Sequence, residues 1–265
     1  MTSPERFDTL SAALATSVRE REGLIGLVLL GSASDEARSR RDEWSDHDFF
    51  TLAEAGRGAA IRPPDLSWLP DHDRLVLTAR EGEIGFVAVY DDAHVFEFAF
   101  ADADELDGAR AGDATVVVDD ESETTATLLA RARARSSEAD QFDPANDVRL
   151  VLVKLLIGVG RVRRGERLNG NAFIRQWAVQ LLVRASGGRF DAASTELRDT
   201  NDPMRRFERD FPIWGGARIA GSLDLPLEES ALELYRLTRE ILEPGWDEFP
   251  PSRAADVVAV RLGWS

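Results

Sequence analysis

Two acidic side chains, Asp46 and Asp48, stand at a spacing that could bind a divalent cation. They fall at the start of a segment, 47–52, whose pattern is typical of a β-strand, so both carboxylates are expected on one face. Two residues of strand rise separate them by roughly 7 Å, close enough for both to reach one Mg²⁺ ion. A hard cation with oxygen ligands neutralises negative charge during phosphoryl transfer.

A Gly-Ser pair, Gly31-Ser32, precedes these acids by thirteen residues. It ends the segment Leu24–Leu30, whose continuous apolar run is typical of a strand buried on both faces. Glycine leaves room for close approach, and backbone N–H groups that become free at the strand end could cradle a phosphate. The alternative is that the acids lie in a solvated turn and that Gly31-Ser32 only ends a strand.

An α/β half followed by a helical half is predicted to position these residues. Strands are predicted at 24–30, 47–52, 74–78, 85–90, 95–100 and 116–118, after a helix at 3–22. Beyond residue 121 helices are predicted at 124–139, 145–164, 171–185, 204–211 and 228–242, while 244–264 has no clear assignment. The sequence therefore predicts an α+β fold with a mixed sheet flanked by helices in domain 1–120 and an all-helical domain 121–265.

Composition excludes several classes of protein. The chain has no cysteine and three histidines, which removes disulfides and thiolate metal sites and disfavours a zinc enzyme. Its one lysine, Lys154, follows no glycine, so there is no P-loop, and no kinase catalytic-loop motif is present. No secretion signal is recognised, and the most apolar stretch, 150–160, is short and contains Lys154, so we expect a cytoplasmic protein with no membrane partner.

The charge of the chain bears on its partners. A net charge of −16 disfavours a nucleic-acid partner, because the phosphate backbone would be repelled. An acidic cleft would concentrate a cationic small molecule, although simple solubility also explains the charge. Lys154 could reach triphosphate oxygens from an apolar helix; equally, it could be a surface lysine whose stem lies on apolar neighbours. The tryptophans, Trp177 among them, are expected in the core rather than at a ligand.

The motif around the two acids resembles that of the DNA polymerase β-type nucleotidyltransferases. Their signature is an apolar residue, Gly, then Gly or Ser, a spacer, and Asp-x-Asp or Asp-x-Glu flanked by apolar residues. Those positions are taken here by Leu30, Gly31, Ser32, Asp46, Asp48 and Phe49. Ser45 matches the Ser-Asp-x-Asp of small antibiotic-modifying members. The spacer is long for the family, and His47 stands where an aliphatic residue is more usual.

The resemblance also implies a third carboxylate on a later strand. Glu97 fits that place, since it is the single acid within Val95-Phe96-Glu97-Phe98-Ala99-Phe100. Strand alternation would put Glu97 on the face opposite the phenylalanines, beside Val95 and Ala99. Asp102 and Asp104 follow the strand and are expected to be loop or N-cap acids.

The resemblance, closest in layout to aminoglycoside and lincosamide adenylyltransferases, implies transfer of AMP from ATP to a hydroxyl of a small molecule. An aminoglycoside- or lincosamide-like acceptor would make the chain an antibiotic-resistance enzyme. Asp46, Asp48 and Glu97 would be the catalytic residues and would hold two Mg²⁺ ions. Gly31, Ser32, Ser45 and Lys154 would bind the nucleotide. Alternatives are an antitoxin-type or protein-modifying AMP-transferase and a non-catalytic nucleotide-binding protein, and the oligomeric state is left open.

Overall fold

The computed structural model describes residues 4–62, 66–139, 143–193, 202–247, 249 and 252–264. The chain divides into two compact units, Met1–Glu138 and Ala139–Ser265. Within the described residues the first unit contains a six-stranded sheet flanked by helices, and the second unit is helical. This confirms the predicted α+β class.

The first unit follows the predicted order of elements. Its strands are β1 (Leu24–Leu30), β2 (His47–Ala53), β3 (Leu75–Glu81), β4 (Gly85–Tyr90), β5 (Val95–Ala101) and β6 (Ala114–Val118). Its helices are α1 (Pro4–Glu20), α2 (Gly58–Ile61) and α3 (Thr124–Ala139), with 3₁₀ turns at Gly31–Ala33, Arg38–Arg40 and His72–Arg74. The predicted first residue of α1, Ser3, lies outside the described residues. The polar segment between β1 and β2 contains two of the 3₁₀ turns.

The sheet has the order β3-β4-β5-β2-β1-β6. β2 and β5 are parallel, whereas the other neighbouring strands are antiparallel, so the sheet is mixed. One face packs under α1, in a core that includes Leu10, Phe49 and Phe98. The other face packs under α3, in a core that includes Phe50 and Leu128. Since side chains alternate along a strand, the even-numbered residues of β2 point to the α3 side.

The boundary between the units lies after α3 and not before it. The change of composition near residue 121 suggested domains 1–120 and 121–265. In the structure, α3 buries Leu128, Leu129 and Ala132 against the second face of the sheet, which would otherwise expose Val28 and Phe50 to water. A helix that covers a sheet belongs to the unit of that sheet.

The second unit differs in detail from the predicted helices. Its helices are α4 (Pro144–Arg163), α5 (Arg167–Asn171), α6 (Val179–Arg189), α7 (Phe207–Asp210), α8 (Gly216–Ser222), α9 (Leu227–Leu242) and α10 (Ser252–Leu262), with a π-helical segment at Ala172–Ala178. The single helix predicted at 171–185 is therefore interrupted, and the unassigned tail contains α10. No helix among the described residues has the length and apolarity needed to cross a membrane.

Candidate active site

The pairing of β2 with β5 brings two of the predicted acids together. Asp48 and Glu97 are register partners on these parallel strands, and neighbouring strands lie about 4.8 Å apart. Phe96 and Phe98 are buried on the α1 side, whereas Glu97 is exposed and Asp48 is half-buried on the other side. Glu97 therefore lies on the face that strand alternation predicts, and the carboxyl groups of Asp48 and Glu97 are on the same face of the sheet.

Asp46 lies directly before β2, and its negative charge acts on the carboxyl group of Glu97. Burial, the negative charge of Glu81 and the negative charge of Asp46 all raise the pKa of Glu97, with burial contributing most. The hydroxyl of Ser32 donates to the backbone carbonyl of Asp46 over 3.5 Å. Asp46 is thus near both Glu97 and the strand end at Ser32, as a shared phosphate and metal site requires.

Gly31 contributes space rather than a hydrogen-bond donor. Its φ of +50° lies in the left-handed region, which favours glycine. A Cβ atom at this position would lie 3.6 Å from Oδ2 of Asp48, so the backbone passes close to that carboxylate. The expectation of a free N–H group is wrong for Gly31, because its N–H donates to the carbonyl of Asp113 over 2.9 Å. Asp113 directly precedes the antiparallel strand β6, and the local sequence around Gly31 gives no sign that β6 pairs there.

The remaining two predicted nucleotide-binding residues have other contacts. The Oγ atom of Ser45 accepts a hydrogen bond from the backbone N–H of Asp42 over 2.9 Å, within a turn before β2. Lys154 lies on α4 of the second unit, where its Nζ atom is 5.5 Å from the ring centroid of Phe173 and 5.3 Å from that of Trp177. These cation–π contacts give Lys154 a structural role within its own unit. Its contact with a triphosphate stays a prediction.

The chemistry of the acids fits Mg²⁺. Carboxylate oxygens are the hard ligands that this ion prefers, and it usually retains water and substrate phosphate oxygens as further ligands. Asp48 and Glu97 supply such oxygens from adjacent positions on one sheet face, and Asp46 supplies them from the residue directly before β2. Among the described residues, however, no three His, Cys, Asp or Glu side chains are gathered closely enough to form a metal site. Two protein carboxylates and a triphosphate are the donor set that suits this arrangement.

A buried polar chain lies on the opposite face, beneath the acids. Nδ1 of His47 lies 2.6 Å from Nε2 of His94, and Nε2 of His47 lies 2.8 Å from Oγ of Ser11 on α1. The ring of Phe7 stacks on that of His47 with centroids 3.7 Å apart. Burial, then the charge of Arg41 together with the neighbouring His94, lowers the pKa of His47 to about 2. The unusual histidine of the motif is therefore a neutral core residue that joins α1 to β2.

The low pKa of His47 predicts acid sensitivity of the fold. The unfolded chain binds a proton at His47 below pH 6.5, while the folded chain does not until about pH 2, so stability is lost as the pH falls through this window. Between pH 7 and pH 5 this group alone should lower the free energy of unfolding by about 2 kcal/mol. Burial also lowers the pKa of His94, so urea unfolding at both pH values should show at least that loss. The part that belongs to His47 should disappear in His47→Leu.

The matched control is the exposed His72. The variant His72→Gln should keep the pH dependence of the wild type, because His72 is exposed and lies outside the buried chain of His47, His94 and Ser11. If His47→Leu lost as much stability between pH 7 and pH 5 as the wild type does, another group would be responsible for the acid sensitivity.

The sequence predicted the loop position of the acids that follow β5, but it did not indicate that Glu81 lies on the sheet face of Glu97. Asp102 is buried and its carboxylate accepts hydrogen bonds from the N–H groups of Gly58, Asp104 and Glu105, so it is a loop acid as expected. Glu81 was missed, although β3 pairs with β4 and β4 with β5, which places it on the face of Glu97. Two successive hairpins in the sequence pattern could have indicated this.

Trp44 contradicts the expectation that the tryptophans are core residues. It lies two residues before Asp46, and its side chain is 85% exposed. The sequence signal was present, because Trp44 stands in a polar segment between two buried strands, where no core is available.

Comparisons with protein-family models and with curated protein sequences found no match. Among solved structures, the chain is similar to the crystal structure of an aminoglycoside 6-adenyltransferase from Bacillus subtilis. The alignment covers 100% of this chain and 93% of that one, with 12% sequence identity and a TM-score of 0.29. A TM-score this low supports no inference about the activity of the chain.

Proposed function

We propose that this chain is a nucleotidyltransferase that uses Mg²⁺ to move AMP from ATP to a hydroxyl group of a small molecule. The observation that supports it most is the register pairing of Asp48 with Glu97 across β2 and β5, on one face of the sheet. Two further residues lie near this pair. The negative charge of Asp46 raises the pKa of Glu97, and the backbone of Gly31 passes close to the carboxylate of Asp48. These contacts support a site at the end of β1 and the start of β2.

In the proposed reaction, the acceptor hydroxyl oxygen attacks the α-phosphorus of ATP, the bond to the β-phosphate oxygen breaks, and pyrophosphate leaves. Glu97 takes the proton of the hydroxyl, a role that suits its raised pKa and its exposure. Asp46 and Asp48 would hold Mg²⁺, which when bound neutralises charge on the phosphates. The phosphates would lie beside Gly31 and Ser32 at the end of β1, where glycine has no side chain to obstruct them.

The charge of the chain supports the choice of acceptor class. A net charge of −16 favours cationic ligands over nucleic acids in the surrounding solution. An amine-bearing acceptor with free hydroxyl groups, such as an aminoglycoside-like compound, has that chemistry. ATP is proposed from the resemblance of the motif alone.

The first test is a calorimetric titration of ATP with Mg²⁺ into the wild type and into Asp46→Asn/Asp48→Asn. Binding that depends on Mg²⁺ is expected in the wild type and should be lost in the double variant, because both of the carboxylates proposed to hold the metal become neutral. The matched control is Asp73→Asn/Asp104→Asn, which removes two charges from exposed positions and should bind as the wild type does.

Pyrophosphate release with a panel of cationic and neutral acceptors then tests turnover. Label from ATP carrying α-³²P should appear on the small molecule. Label on a protein would support a protein-modifying AMP-transferase instead, and binding without any transfer would support a non-catalytic nucleotide-binding protein. ATP binding that survives in Asp46→Asn/Asp48→Asn without needing Mg²⁺ would contradict the proposed site.

A further inference from the structure

An exposed indole stands beside the proposed site. Trp44 lies in the loop between β1 and β2, two residues before Asp46, with 85% of its side chain accessible to solvent. A single exposed apolar residue is common on protein surfaces and by itself indicates nothing. Two further features of Trp44, the turn that carries it and the anchoring of its loop, distinguish it from such a residue.

The turn that carries Trp44 is closed by hydrogen bonds to Asp42. The backbone N–H of Trp44 donates to Oδ1 of Asp42 over 2.9 Å, as in an Asx-turn. The N–H of Ser45 donates to the carbonyl of Asp42 over 3.2 Å, and the N–H of Asp42 donates to Oγ of Ser45 over 2.9 Å. The backbone on both sides of the indole is therefore fixed. The side chain of Ser45 therefore stabilises the turn that carries Trp44.

The loop is also anchored to the rest of the unit through Arg41. Its guanidinium donates to the carbonyls of Ser32 and Ala33 over 3.1 and 3.2 Å and to Asp8 of α1 over 2.8 Å. It also lies 4.0 Å above the ring of Phe7. Arg41 thereby ties the base of the turn to the strand end at Ser32. An aromatic side chain presented from a braced loop loses little conformational entropy when a ligand covers it.

From these contacts we infer that Trp44 stacks on the base of the nucleotide whose phosphates lie at Asp46 and Asp48. The inference rests on the proposed function. Two residues of chain span at most about 7 Å, which is shorter than a nucleoside triphosphate, so one ligand can reach both the acids and the indole. Every nucleobase has a flat face that can stack on an aromatic ring.

Stacking should make a measurable difference to affinity. Trp44→Leu is expected to weaken binding of ATP with Mg²⁺ by about 10- to 100-fold, because it removes the aromatic face. Trp44→Phe should retain most of the affinity. Inorganic tripolyphosphate with Mg²⁺, which has no base, should bind the wild type and Trp44→Leu equally. Calorimetry measures all of these, and Val76→Ala, which shortens another exposed apolar side chain of the first unit, is the control.

The outcomes separate this inference from the function on which it rests. If the wild type binds ATP and Trp44→Leu binds it with equal affinity, Trp44 does not contact the base, and the proposed function stands. The same conclusion follows if the wild type binds ATP no more tightly than tripolyphosphate. If the wild type binds neither ligand in the presence of Mg²⁺, the proposed site is wrong and the inference fails with it.

Discussion

Asp48→Asn should reduce the rate of pyrophosphate release by about 10²- to 10³-fold while leaving the protein folded. The substitution keeps the shape of the side chain and removes its negative charge, and losing one well-placed electrostatic contact to a transition state costs about this much. Asp48 is the acid that is paired in register with Glu97 and closest to the backbone of Gly31. Of the three acids, Asp48 is therefore the one whose loss should affect the reaction most.

The measurement is the steady-state rate with saturating ATP and an acceptor from the panel. Asp104→Asn is the matched control, because it makes the same chemical change on an exposed loop just after β5 and should retain full activity. Urea unfolding of Asp104→Asn should give a free energy within about 0.5 kcal/mol of the wild type, as is usual for surface substitutions, and the same measurement should show that Asp48→Asn is folded. An active Asp48→Asn would show that the reaction centre lies elsewhere.

Much of the first unit could be predicted because its signals are local. A continuous apolar run, as in Leu24–Leu30, is typical of a strand buried on both faces, and alternation, as in Val95–Ala101, is typical of a strand buried on one face. Both strands lie where they were expected. The same alternation fixed the face of Glu97 without knowledge of any partner strand. The loop position of Asp102 also followed from its place directly after β5.

Other features depend on contacts between distant parts of the chain. The parallel pairing of β2 with β5 joins Asp48 to a residue 49 positions away, and no local pattern specifies that register. The hydrogen bond from Gly31 to Asp113 spans a still longer separation and removed a donor that the strand end was expected to offer. α3 was assigned to the helical half for the same reason, since its packing on the sheet is visible only in three dimensions.

His47 belongs to the acidic motif in the sequence and to the core in the structure. In the motif it separates two acids, and a surface role was conceivable for it. Strand alternation sends its ring to the opposite face, where His94 and Ser11 supply its hydrogen-bond partners and Phe7 covers it. Buried polar groups require such partners, and those of His47 come from the turn directly before β5 and from α1. The chain thereby couples the position of the acids to the packing of α1.

Glu97→Gln should lower kcat by about 10²-fold and leave the KM for ATP nearly unchanged. A general base contributes at least this much to the rate, and it acts on the acceptor proton in the transition state rather than on bound nucleotide. The amide of glutamine has nearly the same shape but cannot take the proton. Glu81→Gln is the control, because Glu81 lies on the same sheet face and acts on Glu97 only through its charge. It should keep kcat within about fivefold of the wild type, since a single exposed charge contributes about 1 kcal/mol or less. Equal losses of kcat in the two variants would indicate that the general negative field of this face matters, and that Glu97 has no particular role in the transfer of the proton.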